Sequence, residues 1–391
     1  MGNPATFAAI HYASSQPVFV EVEDGLIRSI RPHLNDENEH STLPVIAPGL
    51  VDLQINGYAG RDFNNPPIAD GMVADVIRLL WREGVTSSYP TVITNSVAAI
   101  HDGMTAIAHA CDRDKAASRG IAGIHLEGPF ISPDDGARGA HSREHVRPPD
   151  WDVFRRWQDA ANGRIRIVTM SPEWPGGADF IAKCASSGVL VSIGHTAATP
   201  DQIRDAVQAG ARMSTHLGNG AHLMLPRHPN YIWEQLAQDE LWSCLIADGF
   251  HLPDQVLKVV MKVKGERAVL VSDAVSLAGM PPGTYSTHVG GQVVLTSSGR
   301  LHLAENEKLL AGSARMLLNG IEVLTRRGLA HFADAWEMAS TRPAKLMALP
   351  AAGGLTAGAR ADFVLFRRNS EGVQLECTYK DGECVWRRGE P

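Results

Sequence analysis

Short apolar runs of strand character and amphipathic runs of helical period take turns along most of this chain. That alternation restricts the fold more than any other feature. Residues 45–53, 85–93, 121–127, 164–171, 189–193, 211–215, 243–247 and 268–272 read as strands. Helical segments lie between most of them. In 69–82, Met72, Val73, Val76, Ile77 and Leu80 recur with helical period. Further helices are expected at 97–111, 178–186, 254–262, 313–327 and 332–340, and Thr199-Pro200-Asp201 is a good helix start, with proline at the first turn. Repeated strand–helix units argue for a parallel sheet, and eight of them for a closed (β/α)8 TIM-like barrel. A doubly wound sheet is the rival, but no glycine-rich dinucleotide fingerprint follows the first strand.

The two ends of the chain break the alternation. Residues 17–22 lead through Asp24-Gly25 into 26–30, a hairpin signature, and 35–42 reads as a polar loop. Residues 361–366 and 373–386, the latter folded about Asp381-Gly382, are again short strands. Neither end has enough apolar residues for a core of its own. Residues 1–46 and 352–391 are therefore expected to join in one small β-sandwich domain beside a barrel of residues 47–351. Residues 283–304 read as a hairpin inserted after the eighth strand.

Charge and cysteine content exclude several function classes. A net charge of −7 disfavours a general nucleic-acid binder, whose phosphate contacts need a basic surface. The five cysteines are odd in number and form no C-x-x-C pair, which suits reduced thiols in a cytoplasmic protein. Cys377 and Cys384 flank the Asp381-Gly382 turn, so a bridge between them is conceivable. No signal-peptide pattern and no bilayer-length apolar run are evident. Met1 to Thr6 fit only a loose acylation pattern.

On the barrel reading, polar residues fall at the C-terminal strand ends, the face on which barrel enzymes carry their chemistry. They are Gln54 and Asn56, Glu127, His195, His216, His251 and Asp273. Singly, each has an ordinary explanation as a helix cap or a hydrogen-bonded loop residue. Jointly, Glu127, His195 and His216 give three ligands for one divalent metal ion, zinc or iron, with a fourth position open for water. Such a site lowers the pKa of its water to roughly 7. Asp273 would be the base that takes a proton and later gives it to a leaving group. His125 shares a strand face with Glu127 and reads as a barrel-interior histidine.

The chain resembles the N-acetylglucosamine-6-phosphate deacetylases of the amidohydrolase superfamily. The resemblance rests on Ala47 to Gly57, His125-Leu126-Glu127-Gly128-Pro129-Phe130, Gly194-His195-Thr196, Thr215-His216-Leu217, Ala247 to Leu252, Val271 to Ala274, Ala311-Gly312-Ser313 and Gly358 to Asp362, in that order. It implies a metal-dependent hydrolase that removes acetate from N-acetylglucosamine 6-phosphate. Glu127, His195 and His216 match its metal ligands and Asp273 its acid/base. His141 matches a histidine near the acetamido group. Asn219 keeps its place as a donor to the substrate, Gly220 lies beside it in the loop that faces the sugar, and His251 and Arg227 match residues that grip the phosphate. The arginine reaches in from a partner subunit in some members, so a homodimer is implied. Many amidohydrolases hold a second metal with His-x-His on the first strand; Gln54-Ile55-Asn56 stands there, which implies one ion per subunit.

The loop after the sixth strand departs from the family pattern. Gly218-Asn219-Gly220-Ala221-His222 and Arg227-His228-Pro229-Asn230 replace the usual runs, with His222 and His228 read as loop histidines. This motivates one rival, hydrolysis of another N-acyl amino sugar, such as N-acetylgalactosamine 6-phosphate, or of another amide; a second rival, from another class, is a non-catalytic sugar-phosphate-binding protein. Residues 275–280 are small and apolar, as an acetyl pocket requires.

Overall fold

The computed structural model describes residues 5–33, 42–69 and 71–390. The expected loop at 35–42 and the acylation pattern at the N-terminus lie almost wholly outside the described residues. Eight parallel strands form one sheet: β1 (Leu50–Ile55), β2 (Val85–Ile93), β3 (Ile124–Glu127), β4 (Ile165–Met170), β5 (Leu190–Ile193), β6 (Ala211–Ser214), β7 (Trp242–Leu245) and β8 (Ala268–Leu270). Each pairs with its neighbours in chain order. A parallel bridge from Ile55 to Ala274, with Asp273 N donating to Gln54 O at 2.9 Å, brings the end of β8 onto β1. The TIM-like barrel expected from the alternation is the fold observed.

Side chains of alternate residues fill the barrel. Val51, Leu53, Tyr89, Ile167, Met213, Cys244 and Val269 pack inside it, and Ala344 and Leu346 of the helix Thr341–Leu346 close its floor. The outer faces of the strands meet amphipathic helices through Ile77, Leu80, Trp157 and Ile203, among others. Each such aliphatic side chain contributes about 1.5–3 kcal/mol by leaving water. The helix Pro200–Ala209 starts as expected, with a reciprocal cap between Thr199 and Gln202. Two helices that the periodicity did not expose, Trp151–Ala160 and Tyr231–Ala237, are each started by a side-chain cap, Asp150 and Asn230.

The termini form one seven-stranded sheet in the order Glu383–Arg387, Gly372–Lys380, Phe363–Asn369, Val45–Pro48, Ala5–His11, Pro17–Glu23, Leu26–Pro32. It curls so that Leu26 bridges Arg360 and the two halves face each other across Val20, Val22, Ile27, Phe363 and Tyr379. The run 45–53 is therefore two strands rather than one. It breaks at Gly49, where a Cβ would lie 2.3 Å from Thr86 Oγ1, so only glycine lets the chain pass from this sheet into the barrel. The insertion after β8 is likewise larger than a hairpin. Gly283–Thr287, Gly291–Leu295, Leu301–Leu303 and Asn306–Leu310 form a four-stranded antiparallel meander with its own small core of Leu277, Val293, Leu295 and Leu301. All five cysteines are free thiols. No helix among the described residues is long and apolar enough to cross a membrane.

Candidate active site

At the C-terminal mouth of the barrel, the ends of β3, β5 and β6 bring three donor atoms together. Glu127 Oε1 lies 3.2 Å from His195 Nε2 and 3.1 Å from His216 Nε2, and the two nitrogens are 3.1 Å apart. All three residues are buried. His195 and His216 reach this point from backbones of positive φ (48° and 27°), and so does Asp273 (46°). Such conformations cost an L-residue of order 1–3 kcal/mol and persist only where the surroundings enforce them. Gly220 also has positive φ and sits so close to the His195 ring that a Cβ would fall 2.5 Å from Nδ1.

The hydrogen bonds around the cluster fix what it presents. His195 Nδ1 lies 3.0 Å from the carbonyl of Ala137, which can only accept. The proton of a neutral His195 is therefore on Nδ1, and its Nε2 lone pair faces a carboxylate oxygen. Two acceptors held this close need a cation between them. Tetrahedral ligands bound at about 2.0–2.1 Å are about 3.3–3.4 Å apart, close to the observed triangle. The donor set thus fits a divalent metal ion. Glu127 stays anionic: burial opposes ionisation, but the contacts with His195 and His216 outweigh it and hold its carboxyl well below the usual range. The contact with Glu127 likewise outweighs burial at His216 and raises its pKa.

His141 stands at the edge of this triangle. Its Nε2 is 3.2 Å from His195 Nε2, and its ligand atom lies within 4.8 Å of those of Glu127 and His195, so these three are also a possible metal set. The triangle with His216 is tighter, because His216 contacts both other members, whereas the only member His141 contacts is His195. Burial, then the nearby His195, lowers the pKa of His141 to about 3, leaving a neutral ring.

Two first-strand residues have roles that the sequence did not disclose. Gln54 Nε2 donates to Glu127 Oε1 at 2.9 Å, and Asn56 Nδ2 donates to Asp273 Oδ1 at 2.8 Å. Burial, reinforced by the charge of Glu127, holds the Asp273 carboxyl up at about 6. The only available signal was their place at a strand end in the His-x-His position. His125 is the interior histidine expected, with Nδ1 2.9 Å from Leu53 O and Nε2 2.7 Å from Thr169 Oγ1.

Asp273, Asn56, His141 and the three cluster residues line one cavity of about 160 Å³. The remaining sequence candidates lie outside it. His251 is held by Asp248 at 2.7 Å, a contact that outweighs burial and lowers the aspartate's pKa. Asn219 is half-buried and donates to His216 O at 3.3 Å. Arg227 is exposed. His222 meets the Tyr231 hydroxyl at 3.0 Å, and His228 is exposed.

Residues 45–385 match the family model described as "Amidohydrolase family". The chain is 30% identical to N-acetylglucosamine-6-phosphate deacetylase of Lysinibacillus sphaericus over 93% of its own length and 92% of that protein's. It is 34% identical to the Homo sapiens protein of that name, covering 90% and 86% of the two chains. It is also 30% identical to N-acetylgalactosamine-6-phosphate deacetylase of Escherichia coli O157:H7, covering 88% and 89%. Among solved structures, a mutant N-acetyl-D-glucosamine-6-phosphate deacetylase of Mycobacterium smegmatis, in complex with N-acetyl-D-glucosamine-6-phosphate, superposes with a TM-score of 0.85 at 27% identity, over 98% of this chain and all of that one.

Proposed function

The chain belongs to the amidohydrolase family, and we propose that it hydrolyses the acetamide of N-acetylglucosamine 6-phosphate to glucosamine 6-phosphate and acetate. The observation that carries this reading is the meeting of the Glu127, His195 and His216 donor atoms in the same cavity as the half-buried Asp273. Relatives named as deacetylases over nine-tenths of the chain supply the substrate class.

Glu127, His195 and His216 are the proposed ligands of one divalent ion, zinc or iron. An ion held there would supply Lewis acidity, lowering the pKa of water and polarising the acetamide carbonyl. Asp273 takes the proton of the attacking water and returns it to the departing amine. Asn56 holds the Asp273 carboxylate in place during both transfers. His141, neutral and aimed at the same point, stabilises charge on the carbonyl oxygen. Gln54 engages Glu127 as a donor instead of offering a second imidazole set, which supports one ion per subunit.

Asn219, Gly220, His251 and Arg227 are assigned to the sugar phosphate. Arg227 makes no ion pair among the described residues and is flanked by Leu223 and Met224, 92% and 87% exposed. Exposed apolar side chains beside a free guanidinium support a homodimer in which each Arg227 serves the other subunit's substrate. Reduced thiols and a small-metabolite substrate support a cytoplasmic enzyme.

The recast loop 218–230, together with the relative named N-acetylgalactosamine-6-phosphate deacetylase, favours a second reading in which N-acetylgalactosamine 6-phosphate is the substrate. Steady-state rates on both epimers and on unphosphorylated N-acetylglucosamine decide between them. The gluco phosphate is expected to have the highest kcat/KM. A preference for the galacto epimer would select the second reading, and no loss on removing the phosphate would reject both.

A further inference from the structure

Beneath the donor cluster the barrel interior turns from apolar to polar. Thr169 stands two residues nearer the mouth than Ile167, on the same face of β4. A valine there would fill the same space. Instead, hydrogen bonds run through the interior from strand to strand. Ser192 Oγ meets Thr215 Oγ1, which lies 2.6 Å from Thr169 Oγ1. Thr169 Oγ1 lies 2.7 Å from His125 Nε2, and His125 Nδ1 lies 2.9 Å from Leu53 O. All five residues are buried.

This chain of bonds has a single direction. The Leu53 carbonyl can only accept, and neither ring nitrogen of His125 meets a carboxylate. A neutral His125 therefore carries its proton on Nδ1 and accepts at Nε2. Thr169 spends its one hydroxyl proton on that nitrogen and accepts from Thr215, which by the same count accepts from Ser192. Turning any one member leaves a buried group unpaired, so the network has one favoured arrangement.

Its members adjoin the groups of the site. Leu53 precedes Gln54, His125 lies two residues before Glu127, and Thr215 precedes His216. The carbonyl of Thr169 accepts from Gly128 N at 2.9 Å, just beyond Glu127. Gly194, next to His195, is seated against the two threonines: a Cβ there would fall 2.7 Å from Thr215 Cβ and 2.8 Å from Thr169 Cγ2.

We propose that His125 is a positioning residue. Its Nδ1–H tautomer couples the hydroxyls of β4, β5 and the end of β6 to the backbone of β1, and so sets the spacing at which Glu127, His195 and His216 present their donor atoms. The proposal rests on the assignment of those three as metal ligands and adds to it what holds them in place.

Two measurements on the full-length protein test it. In the metal-free protein, the imidazole 15N spectrum of His125, assigned by its loss in H125N, is expected to show the proton on Nδ1. A proton on Nε2 reverses the chain of bonds and overturns the proposal. The second measurement is zinc affinity by chelator competition. T169V keeps the shape but leaves His125 Nε2 and the Thr215 hydroxyl unpaired, and is expected to bind zinc about tenfold more weakly, with T169S restoring most of the loss. I203A, in the buried face of an outer helix, is expected to lower thermal stability at least as far and leave zinc affinity unchanged. Wild-type affinity in T169V, or an equal loss in I203A, overturns the proposal alone. Wild-type protein that binds no zinc, or E127A that binds it as tightly, overturns the ligand assignment and the proposal with it.

Discussion

The floor of the site and its rim are built in opposite ways. On the floor, Glu127, His195, His216, Gln54, Asn56 and Asp273 hang from strand ends of the barrel, the first four buried and the last two half-buried, and hold one another at 2.8–3.2 Å. At the rim, loop 218–230 carries Leu223, Met224 and Arg227 into solvent, and the meander rests on its own small core rather than the barrel's. Rigid strands suit chemistry, where misplacing a group by an ångström is costly. Loops that are poorly tied to the core suit the choice of substrate, because they can change without disturbing the reaction. The difference implies that floor variants lose turnover or metal, whereas rim variants lose only discrimination.

Four substitutions sharpen or break that contrast. Glu127→Ala is expected to have the largest effect: loss of stoichiometric metal and more than about 10³ in activity, since it removes a ligand outright rather than a ligand's support. Elemental analysis beside circular dichroism checks it; full metal occupancy would mean that Glu127 is not a ligand. Asp273→Asn should lower kcat by roughly 10²–10⁴ with metal content unchanged, and most of the activity surviving would remove Asp273 from the mechanism. Gln54→Ala leaves every ligand in place but takes a hydrogen bond from Glu127, so metal affinity should fall about 10–100-fold in a chelator competition. At the rim, Arg227→Ala should raise KM for the phosphorylated sugar about 10–100-fold, the worth of a charge-assisted contact, and leave the unphosphorylated sugar as it was. An equal loss on both sugars would place Arg227 with the floor.

The floor was largely legible in the sequence because the barrel imposes a period. Once eight strands are placed, their last residues must share one face, and Glu127, His195, His216 and Asp273 fall there together. His125 was legible for the same reason, two residues before Glu127 on the same strand face. Pairings between distant strands have no local signature. Nothing in the sequence ties Gln54 to Glu127, 73 residues on, or Asn56 to Asp273, 217 residues on. Gly49 looked like part of one strand because apolar residues continue on both sides of it, and only the side chain of Thr86, from another strand, requires the break. The meander was undercounted because its later strands, such as Asn306–Leu310, are mostly exposed and lack an apolar alternation.

The contact between the first and last barrel strands also sets a schedule. Asp273 reaches Asn56 and the carbonyl of Gln54 only where β8 meets β1, and the Val45–Pro48 strand is completed by Phe363–Asn369. A chain emerging from the ribosome at about 5–20 residues per second has released the proposed ligands Glu127, His195 and His216 soon after β6, but the proposed proton carrier Asp273 only after β8. On the proposed roles, the residues meant to hold the metal are all synthesised well before the one meant to carry the proton.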